Sequence, residues 1–277
     1  MKEDSAGVAV VTGGASGIGR AIAVRAGADG YSVVLADIDG ASLRAAKQSL
    51  AAEGVAVAAR VTDVAVRSDV QELARVVEDA HGPVSLLVNS AGVFTPSTFL
   101  QTTPAEWAFV AGVNLWGVVH TMEAFLPGMV GRDRGRIVNV ASVGGLLASP
   151  HATSYIATKH AVVGLSESVF RELDRVGSRV GVTVLCPGAV PTNILRSIRN
   201  WPERLGSPPE VEERDYPVLE GMQTPEQVAE LLWRDLSAGV FWSLPDLDAY
   251  APAIRARADG VVTGRNPGQD SKDWRSR

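Results

Sequence analysis

The sequence predicts an α/β fold: a doubly wound parallel sheet with helices on both faces, in a single domain. Three observations point there. Short apolar runs alternate with helical stretches along most of the chain, the pattern of successive βαβ units. A glycine-rich stretch, Gly13 to Gly19, lies between the first run and the first helical stretch, where open α/β sheets place a ligand-binding turn. No internal repeat and no linker divides the 277 residues, a length that one large α/β domain accommodates.

Val8 to Val11 is the first strand, and the glycine stretch leads into a helix through Ala28. Ser32 to Ala36 is the second strand, closed by Asp37. A helix fits Ala41 to Glu53, and a third strand fits Val55 to Val61. Val66 to Ala80 is helical, and Val84 to Val88 is a fourth strand ending in Asn89-Ser90-Ala91-Gly92. Thr103-Pro104-Ala105-Glu106 is a capping box with proline at the first helical position, so a long helix runs from there to about Met129. Arg136 to Val140 is a fifth strand, with Ser142 just past its end. Ala157, Ala161, Val162, Leu165, Val169 and Leu173 recur at helical spacing, which puts Tyr155 on a helix reaching about Val176. Val180 to Leu185 is a sixth strand, stopped by Pro187-Gly188.

From Ala189 to Met222 the periodicity fails, and prolines punctuate the segment. So long an irregular stretch inside a compact fold reads as a substrate lid or binding loop, 189–222. Within it, Glu212, Glu213, Arg214 and Asp215 read as a solvated surface. Thr224-Pro225-Glu226-Gln227 is a second capping box and opens a helix to about Leu236. Val240 to Leu244 is a last strand and Asp246 to Ala258 a last helix. The domain is expected to span 1–263, with 264–277 a flexible tail.

Composition narrows the function. Hydrophobic residues make up 46% and charged residues 21%, the balance of a globule with a substantial core. A net charge of -5 without a Lys/Arg run argues against a nucleic-acid partner. The start of the chain has no apolar core of a signal peptide, and no membrane span is expected, so a cytoplasmic protein fits best. Cys186, the single cysteine, excludes an intrachain disulfide and reads as a buried thiol. His81, His120, His151 and His160 are too scattered for metal ligation, so no metal is expected.

Two motifs carry chemistry. Tyr155 and Lys159 lie about one helical turn apart and face the same way. A fixed positive charge favours the phenolate, and lowering a tyrosine pKa by roughly three units takes about 4 kcal/mol. The product is a general base, or in reverse a general acid, usable near neutrality. By itself Tyr-x-x-x-Lys occurs by chance in many helices. The other motif is Gly13-x-x-x-Gly17-x-Gly19 after Thr12. Glycines there let the backbone approach a pyrophosphate, and the helix N-terminus supplies free N–H groups. Asp37, at the end of the second strand, can accept both ribose hydroxyls of an adenosine; its plainer reading is a turn or cap residue.

Taken together, Thr12-Gly13-Gly14-Ala15-Ser16-Gly17-Ile18-Gly19, Asn89-Ser90-Ala91-Gly92, Asn114, Ser142, Tyr155-x-x-x-Lys159 and Pro187-Gly188 resemble the short-chain dehydrogenase/reductase family in order and spacing, over roughly residues 6 to 195. The resemblance implies a Rossmann fold with strand order 3-2-1-4-5-6-7 and a nicotinamide cofactor, NAD rather than NADP because Asp37 repels a 2′-phosphate. It implies catalytic roles for four residues. Tyr155 exchanges the proton, Lys159 binds the nicotinamide ribose and lowers the Tyr155 pKa, Ser142 bonds the substrate oxygen, and Asn114 serves a proton relay. Cofactor contacts are implied at Gly13, Ser16, Gly17, Ile18, Gly19, Asp37, Asp63, Val64, Asn89, Ala91, Gly92, Pro187, Gly188, Val190 and Thr192, as well as at Tyr155 and Lys159. Around the nicotinamide the family fold places Val93, Phe94, Gly144, Leu146, Leu147, Ala189 and Val190, with Ile194 following and His151 near Tyr155.

Such a pocket favours a lipophilic or aromatic secondary alcohol or ketone. Ile194, Leu195, Ile198 and Trp201 recur at roughly helical spacing and are expected to close over it, with Arg196 and Arg199 toward solvent. The same apolar residues equally suit plain packing of the lid on the core. Two departures from the family stand out. Ser90 replaces a second asparagine, and the usual glycine-rich last strand is replaced by Gly239-Val240-Phe241-Trp242-Ser243-Leu244-Pro245 with further chain beyond. A homodimer or homotetramer is therefore expected without a choice between them. Two alternatives remain: a catalytically silent nucleotide sensor, which has no need of the Tyr155 base, and an epimerase or dehydratase, which normally carries a larger C-terminal domain.

Overall fold

The computed structural model describes residues 7–210 and 222–268. The charged run Glu212 to Asp215, part of the lid segment and the end of the C-terminal tail lie outside the described residues. The strands are β1 (Val8–Thr12), β2 (Ser32–Asp37), β3 (Val57–Val61), β4 (Val84–Asn89), β5 (Arg136–Val140), β6 (Gly181–Leu185) and β7 (Trp242–Ser243). The helices are α1 (Gly17–Ala28), α2 (Gly40–Ala52), α3 (Arg67–His81), α4 (Pro104–Ala111), α5 (Gly117–Gly131), α6 (Thr153–Arg175), α7 (Pro225–Ser237) and α8 (Leu247–Thr263).

All seven strands form one parallel sheet in the order β3-β2-β1-β4-β5-β6-β7, as expected. β1 is flanked by β2 on one side and β4 on the other, with Val11 opposite Leu35 and Val88. The chain thus winds outward in both directions from β1. That reversal opens a crevice beyond the carboxyl ends of β1 and β4, the place where such sheets bind ligands.

Each face of the sheet has its own core, because parallel strands buried on both sides are apolar throughout. One core packs Leu73 and Val77 of α3, Met122 and Phe125 of α5 and Val162 of α6 on Val10, Leu87 and Ile137. The other packs Ile22 of α1, Leu43 and Leu50 of α2 and Leu232 of α7 on Val11, Leu35 and Val138. Both capping boxes are formed, Thr103 with Glu106 and Thr224 with Gln227.

Four elements differ from the sequence expectation. The long helix from Pro104 is interrupted by a wide π turn, Gly112–Trp116, in which the Gly117 N–H bonds the Gly112 carbonyl. The irregular segment contains short 3₁₀ helices at Asn193–Asn200 and Glu203–Leu205. β7 keeps only two residues, Trp242 opposite Val184 and Ser243 opposite Leu185. α8 runs on to Thr263, where Gly264 ends it in the left-handed conformation. One further point bears on the membrane expectation. The run Pro104–Gly131 is long and apolar enough to cross a bilayer, with mean hydropathy 1.3. Its Val118, Met122, Phe125 and Met129 are instead spent on the sheet.

Candidate active site

A cleft of about 1180 Å³ lies along the carboxyl edge of the sheet. Its floor at one end is the turn between β1 and α1. Gly13 adopts φ 64, and a methyl there would lie 2.8 Å from the Ala91 nitrogen, so only glycine lets the two loops meet this closely. The N-terminus of α1 is open: Ser16 makes no side-chain cap bond and no acid stands in the first turn. Its N–H groups are left for an anion. Asp37 borders the same end, accepting from the backbone N–H of Ala15 and of Asp39, both at 3.1 Å. Burial holds its carboxyl above the usual range against the pull of those bonds. A carboxylate has about four acceptor positions, so capacity remains for a ribose hydroxyl. A glycine cradle, an uncapped helix start and spare acceptor capacity fit a dinucleotide.

The other end holds the chemistry-bearing side chains. Lys159 is 3% exposed, and its Nζ donates to the Val140 carbonyl at the end of β5, 2.7 Å away. The Tyr155 ring lies beside it, with Nζ 5.6 Å from the ring centroid. The Ser142 hydroxyl stands near the Tyr155 phenol, and its oxygen accepts from the Gly144 N–H at 3.0 Å. Phe94 packs edge-on against Tyr155, with centroids 5.3 Å apart. Asn114 sits in the π turn. Its amide donates to the Val93 carbonyl (3.0 Å) and the Thr158 hydroxyl (3.3 Å), and its side-chain oxygen accepts from the Val93 N–H (2.8 Å). The side chain is thus spent on anchoring. Near Gly92 the Asn114 oxygen and Lys159 Nζ come together, each 3.7 Å from where a methyl would sit.

The titration of this pair departs from the sequence expectation. Burial, the largest effect, holds the Tyr155 phenol above its usual value, and the nearby Ser142 hydroxyl only partly offsets it. Burial also lowers Lys159 to about 8. Burial of the phenol outweighs any pull from Lys159, so Tyr155 is not brought down in the protein alone.

The structure brings most of the expected residues to the cleft: Gly13, Ser16, Gly17, Ile18, Gly19, Asp37, Asp63, Val64, Ala91, Gly92, Phe94, Ser142, Tyr155, Lys159, Pro187, Gly188, Ala189, Val190, Thr192 and Ile194. Asn89 and Asn114 stand behind it. Asn89 donates to Asn139 at 2.8 Å and accepts from Thr121 at 2.7 Å, in a buried network that continues from Asn139 to Ser166 at 2.9 Å. Four expected pocket residues do not line the cleft, among them Leu147, which is buried. Gly144 lies against Ile156, where a methyl would come within 2.9 Å, and Leu146 packs on the core. His151 is exposed, on a left-handed residue with φ 60.

Sequence reasoning missed how the lid is fastened. Arg196 and Arg199 are exposed, as expected, and also border the cleft. Arg199 lies 4.0 Å from Asp39, and Arg204 pairs with Asp63 at 2.7 Å. Ser197, nearly buried, accepts from the Phe94 N–H at 2.9 Å and donates to its carbonyl at 3.2 Å. Trp201 packs on Phe109, 4.9 Å between centroids, in a small cluster with Val93 and Val110. These partners are distant in sequence, and only the sharply amphipathic order of Ile194, Ile198 and Trp201 signalled that the segment has a buried side.

The lowered Lys159 makes a stability prediction. Between about pH 8 and 10.5 the unfolded chain binds this proton and the folded one sheds it. The cost of burying the ammonium is therefore complete below about pH 8 and relieved as pH climbs toward 10.5. Lys159→Met should be more stable than the parent at pH 7, on the order of 1–3 kcal/mol, with the gap shrinking at pH 10. Urea unfolding at the two pH values measures it; a variant no more stable than the parent at pH 7 refutes it.

Comparison with known proteins bears on this geometry. The family model described as short chain dehydrogenase matches residues 7–203. The chain is 30% identical over 256 residues to a D-beta-hydroxybutyrate dehydrogenase of Cupriavidus necator, across 92% of this chain and 93% of that one. A short chain dehydrogenase/reductase from Burkholderia phymatum, solved in complex with NAD, matches with a TM-score of 0.91 at 36% identity, over 98% of this chain and 100% of that one. Actinorhodin polyketide ketoreductase with NADPH matches with a TM-score of 0.74 at 30% identity, over 86% and 94%. Likeness that runs from the glycine turn through the Tyr155 helix and on into the lid means that the chain belongs to the short chain dehydrogenase/reductase family, oxidoreductases that act on CH–OH groups with a nicotinamide cofactor.

Proposed function

We propose that this enzyme interconverts a lipophilic or aromatic secondary alcohol and its ketone, with NAD preferred over NADP and Tyr155 as general acid/base. The observation that carries this reading is the convergence of Tyr155, Ser142 and Lys159 at one end of a cleft whose other end is the glycine turn and Asp37. A nicotinamide bound there supplies the hydride acceptor for oxidation or the donor for reduction.

The side chains divide the remaining work. The Ser142 hydroxyl, near the phenol and anchored by the Gly144 N–H, serves to hold the substrate oxygen beside Tyr155. A phenol kept protonated by burial is ready to deliver its proton to a carbonyl oxygen in the reductive direction. Lys159 adds a mobile proton nearby: at about 8 its pKa is close enough to neutrality for exchange. Asn114, by fixing the Val93 backbone and the start of α6, keeps these groups in register. The pocket beyond Tyr155 is walled by Val93, Phe94, Phe109, Val113, Ile194 and Leu195, which supports an apolar substrate. Trp116, 53% exposed on the long helix, and exposed Phe170 on α6 support a second copy as partner, in a homodimer or homotetramer.

One observation favours a second reading, NADP-dependent ketone reduction. Arg20 and Arg199 both border the cleft on the side of Asp37 and Asp39. The ratio of kcat/KM for the two cofactors decides between them. We expect NAD to be preferred by tenfold or more in round terms, about 1.4 kcal/mol, because Asp37 opposes a 2′-phosphate. A preference for NADP overturns the role given to Asp37.

Tyr155→Phe should lower kcat by about 10³-fold or more while leaving NADH affinity within a fewfold, because only the ionisable oxygen is lost. Substantial turnover in that variant would remove Tyr155 from the mechanism. A screen across aryl alcohols, terpenols, steroids, sugars and β-ketoacyl thioesters tests the pocket. Best activity on a sugar or a charged thioester contradicts the apolar assignment.

A further inference from the structure

We infer that α8, the C-terminal helix, belongs to the cofactor site: Asp246 and Tyr250 are positioning residues that hold the Pro187-Gly188-Ala189 turn against the nicotinamide end of the cleft. The inference rests on the dinucleotide reading above and extends it to a segment where the chain departs from its family.

Asp246 occupies the N-cap position of α8, where an aspartate ordinarily accepts from its own helix and stabilises it. Here the side chain makes no cap bond. Its carboxylate faces the Gly188 backbone instead. One helical turn on, and so on the same face, the Tyr250 phenol lies against the same turn. Both groups crowd onto the glycine. A methyl at Gly188 would lie 2.5 Å from Asp246 Oδ2 and 2.9 Å from the Tyr250 hydroxyl oxygen. Glycine is required at 188 because α8 fills the place of its side chain.

The turn is tied from the opposite side as well. The Pro187 carbonyl accepts from the Val143 N–H, 2.9 Å away, next to Ser142. The Cys186 N–H donates to the Ser243 carbonyl at 2.8 Å, joining the turn to β7. Pro187, Gly188, Ala189 and Val190 are thus strung between the catalytic strand end and α8 while they line the cleft.

Core packing does not explain α8. None of its residues is fully buried, and Pro252 interrupts its hydrogen-bond ladder. The contacts of Asp246 and Tyr250 with the turn, together with the Gln223 side chain donating to the Pro245 carbonyl, gather at its leading end. A helix attached this way restricts the turn more than it stabilises the core.

The test compares Asp246→Ala, Tyr250→Phe and Asp246→Asn with the parent in the full chain. Three measurements are needed: NADH dissociation constants by fluorescence, kcat and KM for the cofactor, and hydrogen exchange of the 186–192 segment without cofactor. Asp246→Ala and Tyr250→Phe should exchange faster in that segment and bind NADH about tenfold more weakly, with KM rising more than kcat falls. Asp246→Asn keeps the shape and a polar oxygen against Gly188 and should restore both readings to near the parent. Faster exchange with unchanged NADH affinity reduces the pair to a structural tie and overturns the inference, as does unchanged exchange. A parent that binds neither NADH nor NADPH overturns the dinucleotide reading itself and this inference with it.

Discussion

The buried ammonium of Lys159 is the constraint around which this active site is built. Taking a charged amine out of water is costly unless something hydrogen-bonds it. Here the Val140 carbonyl does so, at the point where β5 stops pairing. That bond fixes α6 against the end of β5. It thereby sets where Tyr155 falls relative to Ser142, which follows the same strand. The partial compensation is visible in the lowered Lys159 pKa: the fold accepts a strained amine in order to have it beside the phenol.

The cleft is framed from three directions by contacts of different kinds. Backbone approach makes the glycine turn, where Gly13 and Ala91 leave no space between them. Ion pairs and one buried hydroxyl fasten the lid, through Arg204 to Asp63 and through Ser197 to both polar groups of the Phe94 backbone. Polar side chains of α8, packed against Gly188, hold the far turn. Surface ion pairs contribute little to stability, so the arginine contacts of the lid are the part that opens most readily. The Ser197 contact, out of water, is the firmer of the two.

What was legible in the sequence was whatever depends on neighbours along the chain. The strand and helix order, both capping boxes and the shared face of Tyr155 and Lys159 follow from spacing alone. The glycine turn and Asp37 were legible because a strand, a turn and a helix follow one another in sequence. The rest depends on partners brought together only by the fold. Arg204 and Asp63 are joined across the cleft, and Asp246 gives up its own helix for Gly188. His151, near Tyr155 in sequence, points away because its backbone takes the left-handed form. The rise of Tyr155 in place of the expected fall has the same origin: burial is a property of the whole packed site and leaves no local signature.

The π turn at Gly112–Trp116 has a consequence for the helix that contains it. An extra residue in one turn shifts the angular phase of everything after it by about 100°. Phe109 and Val110 before the turn therefore serve the cluster beneath the lid, while Val118 and Met122 after it serve the sheet. Restoring regular α geometry by deleting one residue would put one of these two surfaces out of register and swing Asn114 off Val93. A single helix thus works as two differently oriented ones, joined at the residue that the site needs fixed.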